Sequence, residues 1–527
     1  MSSHSTAYET ALRNLKCLNW KHLLRHVVCP AWVHFKEEPP QDFGALFFHP
    51  ATTEEQKKRI TDFRKTCQIP PLICSDMESG PGMMIRGATD FPSLFGCGVA
   101  GSEELAYDMG RCAAQESSTL GFNWTLAPVC DLALEIDSPV VAQRAAGRTP
   151  EAVIPIVTGY IRGLQDHGMA ATAKHFPGDG FATIDQHLST PVNRMSREEW
   201  DATYRRTFSA AIQSGVACIM PGHIGLSWIE AGDKPSRGEP PATVSKRILT
   251  DLLREQMGFD GVIVSDAMCM GGVAGYMNYY DACAAFLEAG GDCLLFVRYD
   301  THFENEMERC LRQGLLREET LLKSASRMLA LKERFGLLDE SADTKKEALP
   351  LKAFESSSEA ISQQCIRIMR DRNSILPVTP HSELRVLHLC ICSEYSNPDI
   401  RTKLDRFTEE LRRYAPNVVC WSDPGSEKVF FSLQNKEFDL VIVSLWGQPD
   451  YAVNVVRLNG PIARNLMDGW MHLGIPVIFV AHAYPFHHHH YFASMDTVIN
   501  TYQSTLHSVK VAADGIFGKI SIPLANE

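Results

Sequence analysis

The chain has 527 residues, about twice what a bare α/β barrel needs, so at least two domains are expected. Hydrophobic residues make up 45% and charged residues 22%, which suits a folded globular protein and excludes a disordered, collagenous or disulfide-stapled chain. With 51 Lys and Arg against 63 Asp and Glu the net charge is −12, which argues against nucleic acid or an anionic membrane as a partner.

In chain order, the opening MSSHSTAYETALRNLKCLNW lacks the basic end and apolar core of a secretory signal. Short apolar runs then alternate with longer amphipathic ones. Strands are predicted at 44–49, 71–76, 122–131, 169–176, 217–224, 261–268 and 292–297. Helices are predicted at 54–67, 103–119, 151–166, 197–214, 245–257, 278–289 and 317–335. Strands that are apolar throughout, alternating with helices, imply a parallel sheet buried on both faces. Seven or eight such units fit a TIM-like (β/α)8 barrel over 1–340. A polar stretch around Pro350 reads as a linker, 341–370, with a fresh helix at 353–371. A smaller α/β domain follows over 371–527, with strands at 385–393, 417–422, 439–447, 475–482 and 497–503 and a helix at 404–415.

No apolar run approaches the roughly 18 residues of a membrane span. The sixteen cysteines are scattered from Cys17 to Cys420 without a CxxC pair, so buried, reduced thiols and a cytoplasmic location are expected. No GxGxxG follows the first predicted strand and no GxxxxGK[ST] occurs, so no nucleotide cofactor is expected.

In a barrel the C-terminal strand ends form the active face. Asp76, Lys174, His175, His223 and Asp266 fall there. The segment KHFPGDGFATIDQH, 174–187, carries Lys174 and His175 at a strand end. Its loop, forced open by Pro177, Gly178 and Gly180, presents Asp185 and His187 two residues apart. An aspartate beside a histidine orients the imidazole and favours its protonated form, so His187 is a candidate general acid/base. Asp266 closes GVIVSDAM as a lone carboxylate that suits a nucleophile, a metal ligand or a structural acceptor.

Several motifs in fixed order resemble glycoside hydrolase family 3, in its β-N-acetylglucosaminidase branch. They are PLICSDMESG at 71–80, ATDFPS at 88–93, GFNWTLAPVCDL at 121–132, SPVVAQRAAGRTPEAV at 138–153, KHFPGDG with TIDQH, VIVSDAMCMGG, and ADGIFGKISIPL at 513–524. The resemblance implies a retaining exo-β-N-acetylhexosaminidase acting on terminal β-linked GlcNAc-type sugars. Asp266 matches the nucleophile, His187 the acid/base and Asp185 its partner. Asp76, Arg144, Lys174 and His175 match positions that hold sugar hydroxyls, and Arg86 and, by its place at a strand end, His223 are counted with them as substrate-binding candidates. In the β-glucosidase branch the acid/base is instead a glutamate from the C-terminal domain. The implied partner is a carbohydrate, with no metal and no cofactor.

Three departures stand out. Ser79-Gly80-Pro81 replaces the family's Gly-Gly-Arg, Asp179 replaces a histidine in KHFPGDG, and no aromatic follows Arg144. They suggest a shifted sugar or aglycone preference. Three alternatives are a family 3 β-glycosidase of other sugar specificity, a β-N-acetylglucosaminide phosphorylase, and a metal-dependent barrel hydrolase with His175, Asp179, Asp185 and His187 as ligands. An internal run, His487 to His490, lies after a strand of the second domain and is expected on a loop.

Overall fold

A computed structural model describes residues 6–35, 41–230, 238–339, 349–392, 399–447, 466–490, 492–503 and 505–525. The fold is mixed α/β. It divides into two compact units, the first of 1–90, 102–135 and 145–355 and the second of 91–101, 136–144 and 356–527. Two short segments, 91–101 and 136–144, therefore belong with the C-terminal unit although they precede residue 340 in the chain.

Of the twelve strands described in the first unit, eight follow one another in a parallel series, β1 Val28–Cys29, β2 Ala45–Phe47, β3 Leu72–Ser75, β4 Trp124–Thr125, β5 Thr172–Phe176, β6 Cys218–Pro221, β7 Val262–Ile263 and β8 Leu294–Leu295, and the other four form the separate pairs Ala51–Thr52 with Ile85–Arg86 and Val192–Asn193 with Gly225–Leu226. The residues of β1 to β8 are buried along their whole length, as expected of parallel strands covered on both faces. β2 pairs with β3 and β3 with β4, β5 with β6 and β6 with β7, all parallel. Parallel bridges Ala31–Phe47, Trp124–Ala170 and Val264–Cys293 supply the steps from β1 to β2, β4 to β5 and β7 to β8. β8 pairs back with β1 through Val28–Leu294 and Cys29–Leu295. Seven of these strands fall within predicted runs. β1 is the addition, two residues wedged between helix Trp20–His26 and Pro30.

The intervening helices carry their own start signals. Thr52 and Glu55 form a reciprocal capping box at the head of Thr53–Arg64, and Thr149 caps Pro150–Gln165, whose first residue is proline. Helices Glu103–Ser118 and Pro150–Gln165 meet through Gly110 against Tyr160 O and Gly163 against Tyr107 O, approaches that leave no room for a Cβ. The helix predicted at 197–214 is two, Arg197–Ala202 and Tyr204–Gln213. It breaks where the Thr203 hydroxyl donates back to Glu199 O at 2.6 Å, a competing local bond. The segment at 245–257 is wound as a π-helix over Arg247–Gln256, and helix Thr301–Arg312 was not anticipated. Asp292, fully buried, accepts from Arg254 at 2.5 Å, Arg327 at 2.9 Å and the Ile263 backbone at 2.9 Å. Two cations thus fix the strand that leads into Asp266. A buried carboxylate held by that many donors is costly to unpair, about 3–5 kcal/mol when one partner is removed.

In the second unit one six-stranded sheet is built from β9 Arg367–Asp371, β10 Arg385–Cys392, β11 Asn417–Ser422, β12 Leu440–Gly447, β13 Val477–Ala483 and β14 Thr497–Asn500. Its order is β9-β14-β13-β12-β10-β11, antiparallel only between β9 and β14. Apolar clusters lie on both faces. One joins Phe407 and Leu411 to Val509 and Ile516, the other joins Val429 and Leu433 to Phe479 and Trp470. The helix predicted over 353–371 stops at Cys365. Residues 367–371 pair instead as the antiparallel edge strand, where the Arg370 guanidinium donates to the carbonyls of Phe492, Ala493 and Met495. Of the expected linker, 341–348 lie outside the described residues.

The histidine run lies in this unit, as a short 3₁₀ turn at His487–His489. His487 is buried, with Nε2 3.3 Å from Gly447 O, and burial pushes its pKa down to about 3. His490 Nε2 is 3.3 Å from Asp137 Oδ1. His488 and His490 are half-buried and His489 is exposed.

Candidate active site

The segment after β7 is clamped before it reaches Asp266. Ser265 N–H donates to Cys293 O at 2.9 Å, the Ser265 hydroxyl accepts from Leu295 N–H at 2.9 Å, and Asp266 N–H reaches Pro221 O at 3.3 Å. The ends of β6, β7 and β8 therefore fix the carboxylate's backbone. Asp266 Oδ1 accepts from Ala267 N–H at 2.7 Å. Burial by itself would raise its pKa. The imidazoles of His175, His223 and His187 and the Ala267 amide outweigh that, so the carboxyl is held below the ordinary aspartate value.

The loop beyond β5 supplies the second reactive group. Asp185 is fully buried, and its Oδ1 accepts from both the backbone N–H of His187 (2.8 Å) and His187 Nδ1 (2.7 Å). That double grip places the proton on Nδ1 and leaves Nε2 as the working nitrogen. The His187 side chain remains 24% exposed, so a ligand can reach it.

The two loops are sewn together. Gly271 N–H donates to His187 O at 2.7 Å, Gly272 N–H to Gln186 O at 3.0 Å, and the Thr190 hydroxyl to Gly272 O at 2.5 Å. A Cβ on Gly272 would stand 2.6 Å from Gln186 O and 2.7 Å from the His223 Cβ. The approach of the His187 loop to the Asp266 loop thus depends on glycine. Gly272→Ala should lower kcat by about 100-fold, because a displacement on the order of 1 Å costs that much, with far-ultraviolet circular dichroism unchanged. An unaltered kcat would mean the loops are not held in register by this contact.

Lys174 and His175 sit where the sequence places them, at the end of β5. Lys174 Nζ is 2.8 Å from Asp76 Oδ1 and 2.6 Å from Glu78 Oε1. Asp76 keeps a third of its side chain exposed while Lys174 is buried. His175 Nδ1 is 2.7 Å from Asp131 Oδ2, and Asp131 also accepts from the amides of His175 (3.1 Å) and Asp179 (2.8 Å). Asp131 is completely buried, so it fixes the imidazole as Asp185 fixes His187.

His223 joins the cluster without facing a ligand. Nε2 donates to Ala267 O at 3.0 Å and Nδ1 meets the Thr243 hydroxyl at 2.7 Å. Both ring nitrogens are committed to protein, and burial pushes the pKa down, so the expected contact from His223 to sugar is corrected to a contact with the backbone next to Asp266. Asp179, also expected to influence the ligand, spends its carboxylate on Gly180 N–H (2.6 Å) and Gln186 Nε2 (3.2 Å). Gln186 Oε1 in turn accepts from His223 N–H at 2.7 Å. Asp179 therefore braces the loop that carries His187.

The two remaining predicted residues have other recorded partners. Arg86 is exposed on a two-residue strand paired with Ala51–Thr52, and its charge acts on Glu55. Arg144 belongs to the second unit, where its Nη1 donates to Val140 O at 3.1 Å. The rival metal set fails on geometry. Among the described residues His175, Asp179, Asp185 and His187 do not bring their donor atoms together as a metal cluster. Sequence reasoning missed Glu78, Asp131 and Gln186. Glu78 and Asp131 close the polar ends of quoted motifs, and Gln186 separates Asp185 from His187. The signal was present in position but not in any pairwise spacing.

A carboxylate held below the ordinary aspartate pKa, an oriented imidazole on the adjoining loop and the polar groups Asp76, Lys174 and His175 suit a hydroxylated substrate. Residues 42–331 match the glycosyl hydrolase family 3 N-terminal domain, more than half of the chain, and the protein belongs to glycoside hydrolase family 3. It is 27% identical over 476 residues to a beta-N-acetylglucosaminidase/beta-glucosidase of Cellulomonas fimi, covering 88% of this chain and 84% of that one. A beta-hexosaminidase of Methylococcus capsulatus is 38% identical over 254 residues, 47% of this chain and 73% of its own. Among solved structures, the beta-glucoside phosphorylase BglX bound to 2FGlc superposes with a TM-score of 0.88 at 24% identity, covering 98% and 96% of the two chains. A family 3 beta-N-acetylglucosaminidase from Paenibacillus sp. str. FPU-7 gives 0.81 at 24% identity over 96% and 98%.

Proposed function

We propose that the protein is a retaining exo-β-N-acetylhexosaminidase whose eight chain-ordered parallel strands close as a (β/α)8 barrel around the site. The observation that carries this reading is the Asp185–His187 pair, locked by backbone bonds to the loop that follows Asp266. Asp266 attacks the anomeric carbon as the His187 imidazolium protonates the departing glycosidic oxygen, giving a glycosyl ester and a free aglycone. The neutral imidazole then takes a proton from water, which attacks the anomeric carbon and restores the Asp266 carboxylate and the imidazolium. Asp76, Lys174 and His175 hold sugar hydroxyls. His223 positions Ala267. All sixteen cysteines are free thiols, which supports a reducing, cytoplasmic setting.

Phosphorolysis is the second reading. An imidazole acid/base, unlike a carboxylate, does not repel phosphate, and the phosphorylase superposes along nearly the whole chain. Chromogenic β-GlcNAc and β-glucoside substrates, each assayed with and without inorganic phosphate, test both readings. Turnover of the N-acetyl substrate with free sugar as product is expected. Exclusive β-glucoside turnover would sink the N-acetyl assignment. Sugar 1-phosphate formed at the expense of free sugar would assign the phosphorylase.

A further inference from the structure

Away from the catalytic cluster, the second unit gathers one imidazole and two thiols on a single face of its sheet. We infer that His388, Cys390 and Cys420 form a binding site for a thiophilic d10 metal ion such as Zn(II). Their donor atoms lie within 4.8 Å of one another, the only such group among the described residues. Cys390 Sγ is 3.6 Å from Cys420 Sγ and 3.5 Å from His388 Nε2. Two thiolates at about 2.3 Å and an imidazole nitrogen at about 2.0 Å from a tetrahedral zinc stand roughly 3.5–3.8 Å apart. The protein therefore already holds its donors at the edge lengths of such a site.

The same register argues against the other chemistry open to two close thiols. Cα pairing sets His388 opposite Cys420 and Cys390 opposite Ser422. Cys390 and Cys420 are thus diagonal across neighbouring strands, with one strand spacing of about 4.8 Å and two residues of rise, about 6.6 Å, between them. Their Cα atoms are then about 8 Å apart, beyond the roughly 7 Å limit for a disulfide without backbone movement. An ion between the sulfurs spans that gap where an S–S bond does not.

β11 is the edge strand beside β10, and Cys390 stands toward the C-terminal end of β10. Cys420 is the half-buried member of the set, and the other two are buried. The imidazole now meets Thr408 Oγ1 and Ser444 Oγ, each at 2.8 Å, and metal binding replaces one of these partners. The bound ion ties edge strand β11 to β10. Its ligands come from HLCIC on one strand and a cysteine 30 residues further on, so no compact motif announces them.

The test uses the full chain, reduced and stripped with a chelator, titrated with Cd(II) as a spectroscopic probe and with Zn(II) in competition. One equivalent should give a thiolate-to-cadmium charge-transfer band, displaced by Zn(II), and Zn(II) should raise the melting temperature. Cys420→Ser and Cys390→Ser should each lose that equivalent and the melting shift. Cys420→Ser, altering a half-buried position, serves as the control whose metal-free melting temperature stays near that of the parent. Equal stoichiometry in parent and both serine variants, or no binding by the parent, overturns the site. So does recovery of a Cys390–Cys420 disulfide from the folded protein after mild oxidation, because it would show that the strands bring the two residues together without an ion.

Discussion

Asp266→Ala is expected to lower kcat on a β-N-acetylhexosaminide on the order of 10⁴-fold or more, the cost seen when a covalent catalyst is removed while the rest of a site stays intact. The substitution should spare the fold. The backbone around Asp266 is held by Ser265, Pro221 and Leu295 rather than by the carboxylate, which among the described residues accepts from its own neighbour Ala267. Added azide should restore turnover of an activated substrate and yield the α-glycosyl azide, since a small anion can enter the space the carboxylate leaves. The sign of the pH effect follows from the lowered pKa. Asp266 stays ionised above the ordinary aspartate value of 3.8 and is lost as a nucleophile only when the pH falls through its lower folded value. Its stabilising contribution to the fold is likewise present above the ordinary value and lost on acidification. Loss of activity between pH 5 and 7 in the parent would therefore belong to another group.

Replacing His187 by Ala should cost about 10²–10⁴-fold in kcat/KM on a glycoside with a poor leaving group, the usual range for a positioned acid. The loss should shrink sharply for an activated aryl glycoside whose oxygen departs without protonation. Asp185→Asn should follow the same pattern with a smaller amplitude. It keeps a group in the buried space but replaces the carboxylate that now accepts from both the His187 amide and its Nδ1. Equal losses on poor and good leaving groups, in either variant, would mean that the pair shapes the site without moving a proton.

Much of this was legible in the sequence, for identifiable reasons. β2 to β8 are buried on both faces, so their side chains are mostly apolar and stand out from the amphipathic helices. Lys174, His175, Asp185 and His187 lie within 14 residues on one strand and its loop, and local chemistry is what a sequence displays. β1 escaped because two residues next to a helix carry no period. Asp131 escaped because its partner His175 is 44 residues away, and a buried carboxylate has no local signature that separates it from a turn. His223 was found at the right strand end, yet its orientation depends on Thr243 and Ala267, which only the fold brings together. The edge strand at 367–371 was read as helix because its partner β14 lies more than a hundred residues further on. The same holds for 91–101 and 136–144, whose membership in the second unit no linear boundary expresses.

The central claim is that Asp266 forms a covalent bond to the sugar. The direct measurement is intact-protein mass spectrometry, with peptide mapping, after incubation with a fluorinated N-acetylhexosaminyl fluoride that reacts quickly in the first step and slowly in the second. The account predicts one added glycosyl mass per chain, mapped to the peptide bearing Asp266 and absent from Asp266→Ala. A label on another residue, or an unlabelled protein that still turns the reagent over, would contradict it.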